Sequence, residues 1–285
     1  MKTLITIYNL DRANDLLTYA DGLVVGIKGF STRETSYLNQ DELKQLSELT
    51  KKRDKNLYIS LKPMLHNHMI KPLKAFLESI KDVSLTGFII GDIGYYELLK
   101  EMGFDHIVYN PETLLSNTYD LNVYFEYGIE GAFISKEISL FDIKEMIKNK
   151  KNKLFMVGHG YLNMFYSRRP LIKSYLETIS KDYDYKVDTL RIKEETREVY
   201  HPIIEDDFGT HVYRSEVTTT LDIKEELKGL DYLLIDTIFH DDDYGIRVLK
   251  LYEDFTEEAK RKLEEDYKET WDTGFLYLNT IYKQG

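Results

Sequence analysis

Short apolar runs and amphipathic stretches alternate along the chain from its first residues. Thr3–Asn9 carries the alternating Leu4-Ile5-Thr6-Ile7-Tyr8 and predicts a strand, followed by a helix over Asp11–Ala20 with Asp11 as its cap. The pattern then repeats. Strands are expected at Gly22–Ile27, Leu57–Leu61, Gly87–Ile90, His106–Tyr109, Gly131–Ile134 and Leu154–Val157. Between them, helical spacing covers Asn39 or Asp41 to about Arg53, Lys71–Asp82, Tyr95–Met102, about Leu114–Tyr127 and Ser139–Lys150. Leu43, Leu46 and Leu49 share one face of the first of these, and Gly103 and Gly128 stop two others. After Leu154–Val157 the run is expected to break at Gly158-His159-Gly160.

Seven strand-led units of this kind make a parallel sheet with right-handed crossovers, closed as a barrel or open and doubly wound. No GxGxxG turn follows the first strand, which favours a TIM-like (β/α) barrel. After Ser180 the rhythm changes. Thr189–Tyr200 alternates like a ribbon, and Pro202–His211 reads as hairpin and turn. We expect a small β-rich insertion over 182–215, with 1–181 and 216–285 forming the barrel. Leu221–Leu227 returns to helix, Tyr232–Asp236 is the best eighth strand, and helices at about Tyr244–Tyr252 and Thr256–Asp272 close the chain.

Composition narrows the function. The 285 residues are 42% hydrophobic and 31% charged, as in a globular protein with a sizeable core. No apolar run reaches the roughly 20 residues a membrane helix needs, and the N-terminus reads as a strand and not a signal peptide, so a cytoplasmic location is expected. There is no cysteine, which excludes disulfides, cysteine nucleophiles and thiolate-bound metal centres. A net charge of -11 argues against nucleic-acid binding by the whole surface, though not by a local basic pocket or a basic partner.

In a (β/α) barrel, chemistry collects where strands end. Those positions are Asn9, Lys28, Lys62, Asp92, Asn110, Ser135, His159 and Asp236, followed after the seventh strand by Asn163, Tyr166, Ser167, Arg168 and Arg169. Lys28, Lys62, Asp92, Asn110, Asn163, Arg168 and Arg169 form the candidate ligand-binding set. Cations mixed with amides suit a small anion such as a carboxylate or phosphate. His66 and His68 lie two apart in an expected loop, but no HExxH helix or third ligand joins them, so no metal site is expected. Asp241-Asp242-Asp243 reads as a charged helix start. Ser167 and His159 suggest a nucleophile and base without an orienting third group, and neither a GxSxG elbow nor a P-loop is present.

The stretch Leu154–Ile172 resembles the signature of the collagenase-like peptidase family U32. That signature runs from a strand with Glu and Phe to His-Gly, a first Cys, Tyr-Ser-Gly, one variable residue and a second Cys. His159-Gly160 and Tyr166-Ser167 fall at the matching spacing, with Arg169 at the variable position. Ala20–Gly26 with Gly29–Arg33, Gly91–Gly94 running on to Met102-Gly103, and the polar loop Asn110–Asn117 are similar to further family stretches. The resemblance covers Met1–Ile172 closely and the remainder loosely. It makes His159, Tyr166 and Ser167 the candidate catalytic residues.

The departures carry equal information. The signature cysteines fall on Asn163 and Pro170, the signature Gly on Arg168 and the signature Glu on Phe155. The family's later Lys-Ile-Glu-Gly-Arg is replaced around Leu234-Ile235-Asp236-Thr237. Members with four cysteines hold an iron-sulfur cluster and insert oxygen into tRNA or rRNA bases or quinone precursors. This chain cannot hold that cluster, and no cofactor is expected. The resemblance therefore implies the short, cysteine-less branch: a partner of a longer paralogue in tRNA uridine hydroxylation, reaching tRNA through that partner. Its alternatives are a peptidase acting alone, whose nucleophile the sequence does not supply, and a non-catalytic binder of a small anion.

Overall fold

The computed structural model describes residues 1–180, 190–196 and 198–278. Its frame is a closed ring of eight parallel strands. In chain order these are β1 (Lys2–Thr6), β2 (Gly22–Ile27), β4 (Asn56–Leu61), β5 (Gly87–Ile90), β6 (Ile107–Tyr109), β7 (Gly131–Phe133), β8 (Lys153–Ser167) and β12 (Tyr232–Ile235). Each pairs with the next, and β12 closes the ring between β8 and β1. A two-residue strand, β3 (Tyr37–Leu38), adds to β2 outside the ring.

The ring forms because its strands are apolar on both faces, as a strand between a barrel interior and a layer of helices must be. All six residues of β2 are buried. One face supplies the interior: Leu4, Val24, Tyr58, Ile89, Val108, Phe133, Phe155, Tyr232 and Leu234, drawn from all eight strands. Phe155, at the position where the resemblance puts a Glu, is fully buried and stacks on Tyr232 with ring centroids 4.4 Å apart. The other face packs on the helices α1 (Ala13–Tyr19), α2 (Gln40–Lys52), α3 (Asn67–Ser79), α4 (Gly94–Glu101), α5 (Thr118–Glu126), α6 (Leu140–Asn149) and α8 (Asp242–Glu253). Local sequence sets their starts. Asn39 and Glu42 form a reciprocal capping box on α2, Asn117 caps α5, Ser139 caps α6 and Asp241 caps α8. A short helix, α7 (Leu171–Thr178), follows β8 and buries none of its residues.

The main departure from the sequence pattern lies in β8. The strand does not break at Gly158-His159-Gly160 but runs on to Ser167. The register against β12 shifts between Leu234 and Ile235, so Gly158 is the extra residue of a bulge instead of a turn. Beyond the bulge β8 changes partners. It pairs antiparallel with β11 (Gly209–Thr219), which pairs with β10 (Tyr200–Asp206), and β10 with β9 (Arg191–Lys193). The hairpin expected over Pro202–His211 is the β10–β11 turn. The expected insertion start at Asp182, and Thr189 at the start of the ribbon, lie outside the described residues.

Leu221–Leu227 is helical as expected, in the 3-10 form. Two smaller corrections follow from local contacts. The last helix, α9 (Glu257–Tyr267), stops short of Asp272 because Lys268 turns left-handed. Trp271–Asp272 then forms β13 on β11. His66 is the residue before α3 and His68 lies in its first turn, so the pair is not a free loop. No described helix is long and apolar enough to cross a membrane.

Gly160 shows how tightly the strand ends are packed. It has φ +134, and a Cβ there would lie 2.3 Å from the Asp236 carbonyl oxygen. Gly160→Ala should lower stability by about 2–4 kcal/mol through overpacking and an unfavourable φ. Chemical denaturation measures this, and an unchanged midpoint would contradict the close approach.

Candidate functional site

The C-terminal ends of the ring strands carry a cage of buried charges. Lys62, just after β4, lies 2.9 Å from Glu34 of the loop after β2, and both side chains are more than nine-tenths buried. Ser60 Oγ donates to the same Glu34 oxygen at 2.6 Å. Arg33, next in the β2 loop, reaches Glu112 in the loop after β6 at 2.6 Å. Lys136, after β7, holds the second oxygen of Glu112 at 3.2 Å. Asp236, after β12, completes the cage; its Oδ1 accepts from the Ile238 amide.

A charge removed from water is costly unless it is matched, and here three cations face three carboxylates. Burial pushes Glu34 and Asp236 above the usual carboxylate range, against the attraction of Lys62. For Lys62, burial favours the neutral form, but Glu34 and Asp236 together outweigh it and raise its pKa. Burial also opposes ionisation of Glu112. Arg33, Lys136 and Lys62 overcome it and hold that carboxyl at about 2.

All of the cage but Glu34 lines a cavity of about 50 Å³ at the barrel mouth, with Phe133, Val157 and Leu234 as its apolar floor. Of the residues expected to bind a ligand, Lys62, Asn110 and Asn163 line it, as does the strand-end residue Asp236. Asn163 comes from the β8 extension, where its Nδ2 donates to the carbonyls of Phe165 and Val212. The remaining candidates lie elsewhere. Lys28 is exposed in a turn. Asp92 accepts from the amides of Leu65 and Gly94, tying the loops after β4 and β5 together. Arg168 is exposed against His66, and Arg169 is exposed with its amide donating to Ser167 Oγ.

The three signature positions on β8 are not brought together as a catalytic group. His159 and Ser167 are eight residues apart on one strand, roughly 26 Å at the rise of an extended chain. His159 is fully buried. Its Nε2 pairs with Tyr244 Oη at 2.7 Å and its Nδ1 with Thr219 Oγ1 at 3.2 Å, while burial, reinforced by His240, pushes its pKa well down. Tyr244 Oη also donates to Glu269, which accepts from Tyr161 Oη and Trp271 Nε1 and pairs with His240. Because Tyr161 also lines the cavity, this second network joins the mouth to the C-terminal segment. Tyr166 stacks on His211, 4.9 Å between centroids, and donates to the Phe208 carbonyl.

Arg33, Glu34, Glu112, Lys136 and Tyr213 belong to the mouth and were not among the expected site residues. The rule that chemistry follows strand ends reaches the first four once loops are followed a few residues further. Tyr213 arrives from β11 and has no such signal. The family's cluster would need thiolates at positions 163 and 170. Asn163 and Pro170 offer none, so these residues do not fit that group. Among the described residues no group of three or more His, Asp or Glu is arranged to hold a metal ion.

Comparison with known proteins agrees with the fold and extends the resemblance. The family model described as "Peptidase family U32" matches residues 9–279. The tRNA hydroxylation protein P2 of Bacillus subtilis (strain 168) is 24% identical over 286 residues, covering 92% of this chain and 93% of that protein. The tRNA hydroxylation protein P1 of the same organism is 22% identical over 171 residues, covering 59% of this chain and 40% of that protein. Among solved structures, the U32 peptidase Mk0906 superposes with a TM-score of 0.54 at 14% identity, covering 83% of this chain and 92% of that one.

The cage predicts a pH signature. Glu112 has its pKa depressed on folding, so its stabilisation is present above 4.5 and is lost as pH falls from there towards about 2. Water still reaches a quarter of its side chain and screens the pairs, so we take the contribution as about 2 kcal/mol. Glu112→Gln should lower stability by that amount near neutral pH, with the gap to wild type closing in acid. Urea melts across that window measure it, and a gap independent of pH would contradict the assignment.

Proposed function

We propose, on the premise that this chain belongs to peptidase family U32, that it is the cluster-less subunit of a tRNA uridine hydroxylation system and acts beside a longer, cysteine-bearing paralogue. One observation carries the reading. The chain is coextensive with a protein named for tRNA hydroxylation, whereas it matches less than half of that protein's P1 namesake. The lack of cysteine fits a division of labour in which the partner supplies the cluster. The acidic net charge fits a subunit that reaches RNA through that partner, in the cytoplasm.

Pairing of subunits needs an apolar surface, and one is available. A groove of about 1000 Å³ runs between α7 and the extension formed by β8 to β11. Phe165, Tyr175 and Ile192 stand about half exposed or more along it. Patches of this kind are uncommon on monomeric proteins and mark interaction sites. A peptidase acting alone is the weaker reading, since Ser167 and His159 are separated along β8 and His159 is sealed from solvent.

Deletion of the encoding gene should abolish hydroxylated uridine in tRNA, read by mass spectrometry of digested nucleosides. Tagged protein should co-purify the longer paralogue. A clean deletion with unchanged nucleosides would overturn the reading. Restoring the gene with Lys62→Met, which empties the centre of the cage, should leave the modification absent.

A further inference from the structure

A second apolar surface lies outside the ring, on α5 and α6, and shares no residue with the groove beside α7. α5 packs on the core through Leu121 and Phe125. Tyr119, Val123 and Tyr127 follow one another at intervals of four on its opposite side, so they stack along one face. Tyr119 is 87% exposed and Tyr127 72%, and Phe141, at the start of the neighbouring α6, is 73% exposed. A helix on the outside of a barrel ordinarily turns polar residues to water. α5 is apolar on both sides.

The patch is large enough to hold a partner. Three aromatic side chains at this exposure present on the order of 500 Å², at the upper end of apolar patches on monomeric proteins. Doubled across a two-fold axis this becomes about 1000 Å², the size at which specific interfaces begin.

Its shape suits a copy of itself. Beside the ridge of Tyr119, Val123 and Tyr127 runs a groove of about 530 Å³ between α5 and α6, walled by Asn122, Met146 and Asn149 among others. A two-fold interface uses the same patch on both subunits, so ridge and groove must both be present on it. Here they are.

Charge sets the direction of pairing. α5 and α6 run side by side, with Asn122 Nδ2 donating to the Asn149 carbonyl and the Lys151 amide donating to Asn122 Oδ1, each at 3.1 Å. Asp120 and Asp142 lie in the first turns of the two helices, where their carboxylates accept from Asn117 Nδ2 and Ser139 Oγ. Lys148 lies in the last turn of α6. All three are exposed, and none enters an ion pair among the described residues. Lys151, at the same end as Lys148, is already matched by Glu126. An antiparallel pairing sets the acidic end of each copy against Lys148 of the other, whereas a parallel one would set carboxylate against carboxylate.

We propose that a second copy of this chain docks on this face, with the two α5 helices antiparallel about a two-fold axis at Val123 and the ridge of each copy beside the groove of the other. The dimer is separate from pairing with a paralogue and does not depend on the hydroxylation reading.

Sedimentation equilibrium of the purified full chain is the test. At tens of micromolar the wild type should show twice the 33.6 kDa mass of one chain. Replacing both ridge tyrosines, Tyr119→Ser with Tyr127→Ser, should weaken self-association about tenfold or more. Both side chains are exposed, so the double variant should keep the wild-type circular dichroism and melting midpoint. The native chain has no cysteine, so Val123→Cys places a single thiol at the axis. A short bis-maleimide should join that variant into a covalent dimer much faster than it joins Lys44→Cys, whose thiol is exposed on α2. A wild type that stays a single chain would overturn the proposal, as would a dimer that the double substitution leaves intact. So would a dimeric Val123→Cys variant that links no faster than Lys44→Cys. A wild type that is single on its own, and whose double variant no longer captures the longer paralogue, would assign this face to that paralogue and overturn the proposal too. No RNA enters these measurements, so their failure leaves the deletion result standing, and normal tRNA in the deletion strain leaves the dimer standing.

Discussion

Charges buried at the barrel mouth must be matched, and that requirement shapes the functional end of this protein. Lys62 is held by Glu34 at 2.9 Å, and Glu112 is shared by Arg33 and Lys136. Removing one partner of the deeply buried Lys62–Glu34 pair would strand a charge, typically a loss of about 3–5 kcal/mol. The pairs connect the loops after β2, β4, β6 and β7, so a single electrostatic arrangement fixes several otherwise independent segments. What they enclose is small, polar on one side and apolar on the other.

The β8 extension supplies the remaining wall. A bulge at Gly158 lets the strand leave β12 and continue with β11, bringing Asn163 and Tyr213 over the mouth. Behind it, His159, Tyr244, Glu269 and His240 form a buried hydrogen-bonded group that anchors the C-terminal segment through Trp271, whose ring lies 4.5 Å from His159. His159-Gly160 therefore belongs to the joint between barrel and extension: His159 by its hydrogen bonds, Gly160 by its close approach to Asp236.

The barrel was legible in the sequence because burial on both faces leaves short apolar runs at regular intervals, separated by amphipathic helices. Part of the mouth was legible for the same reason: Lys62, Asn110 and Asp236 each follow a strand directly. Arg33 was visible only as a loop residue, because its partner Glu112 lies far away in the chain, as does Lys136, the second cation on that carboxylate, and no local pattern records such pairings. The glycines around His159 read as a turn, since a bulge and a turn demand the same backbone freedom. Tyr213 was hidden because the ribbon that carries it folds back onto the mouth from outside the repeat.

The central claim is that the mouth is built to hold something and is not merely a packed junction. Tyr213→Phe tests it most directly. The Tyr213 hydroxyl is buried and unpaired among the described residues, so removing it should leave stability unchanged or slightly raised. In cells lacking the native gene and supplied with this variant, hydroxylated uridine in tRNA should nevertheless fall sharply at normal protein levels. Full modification by the stable variant would contradict the account.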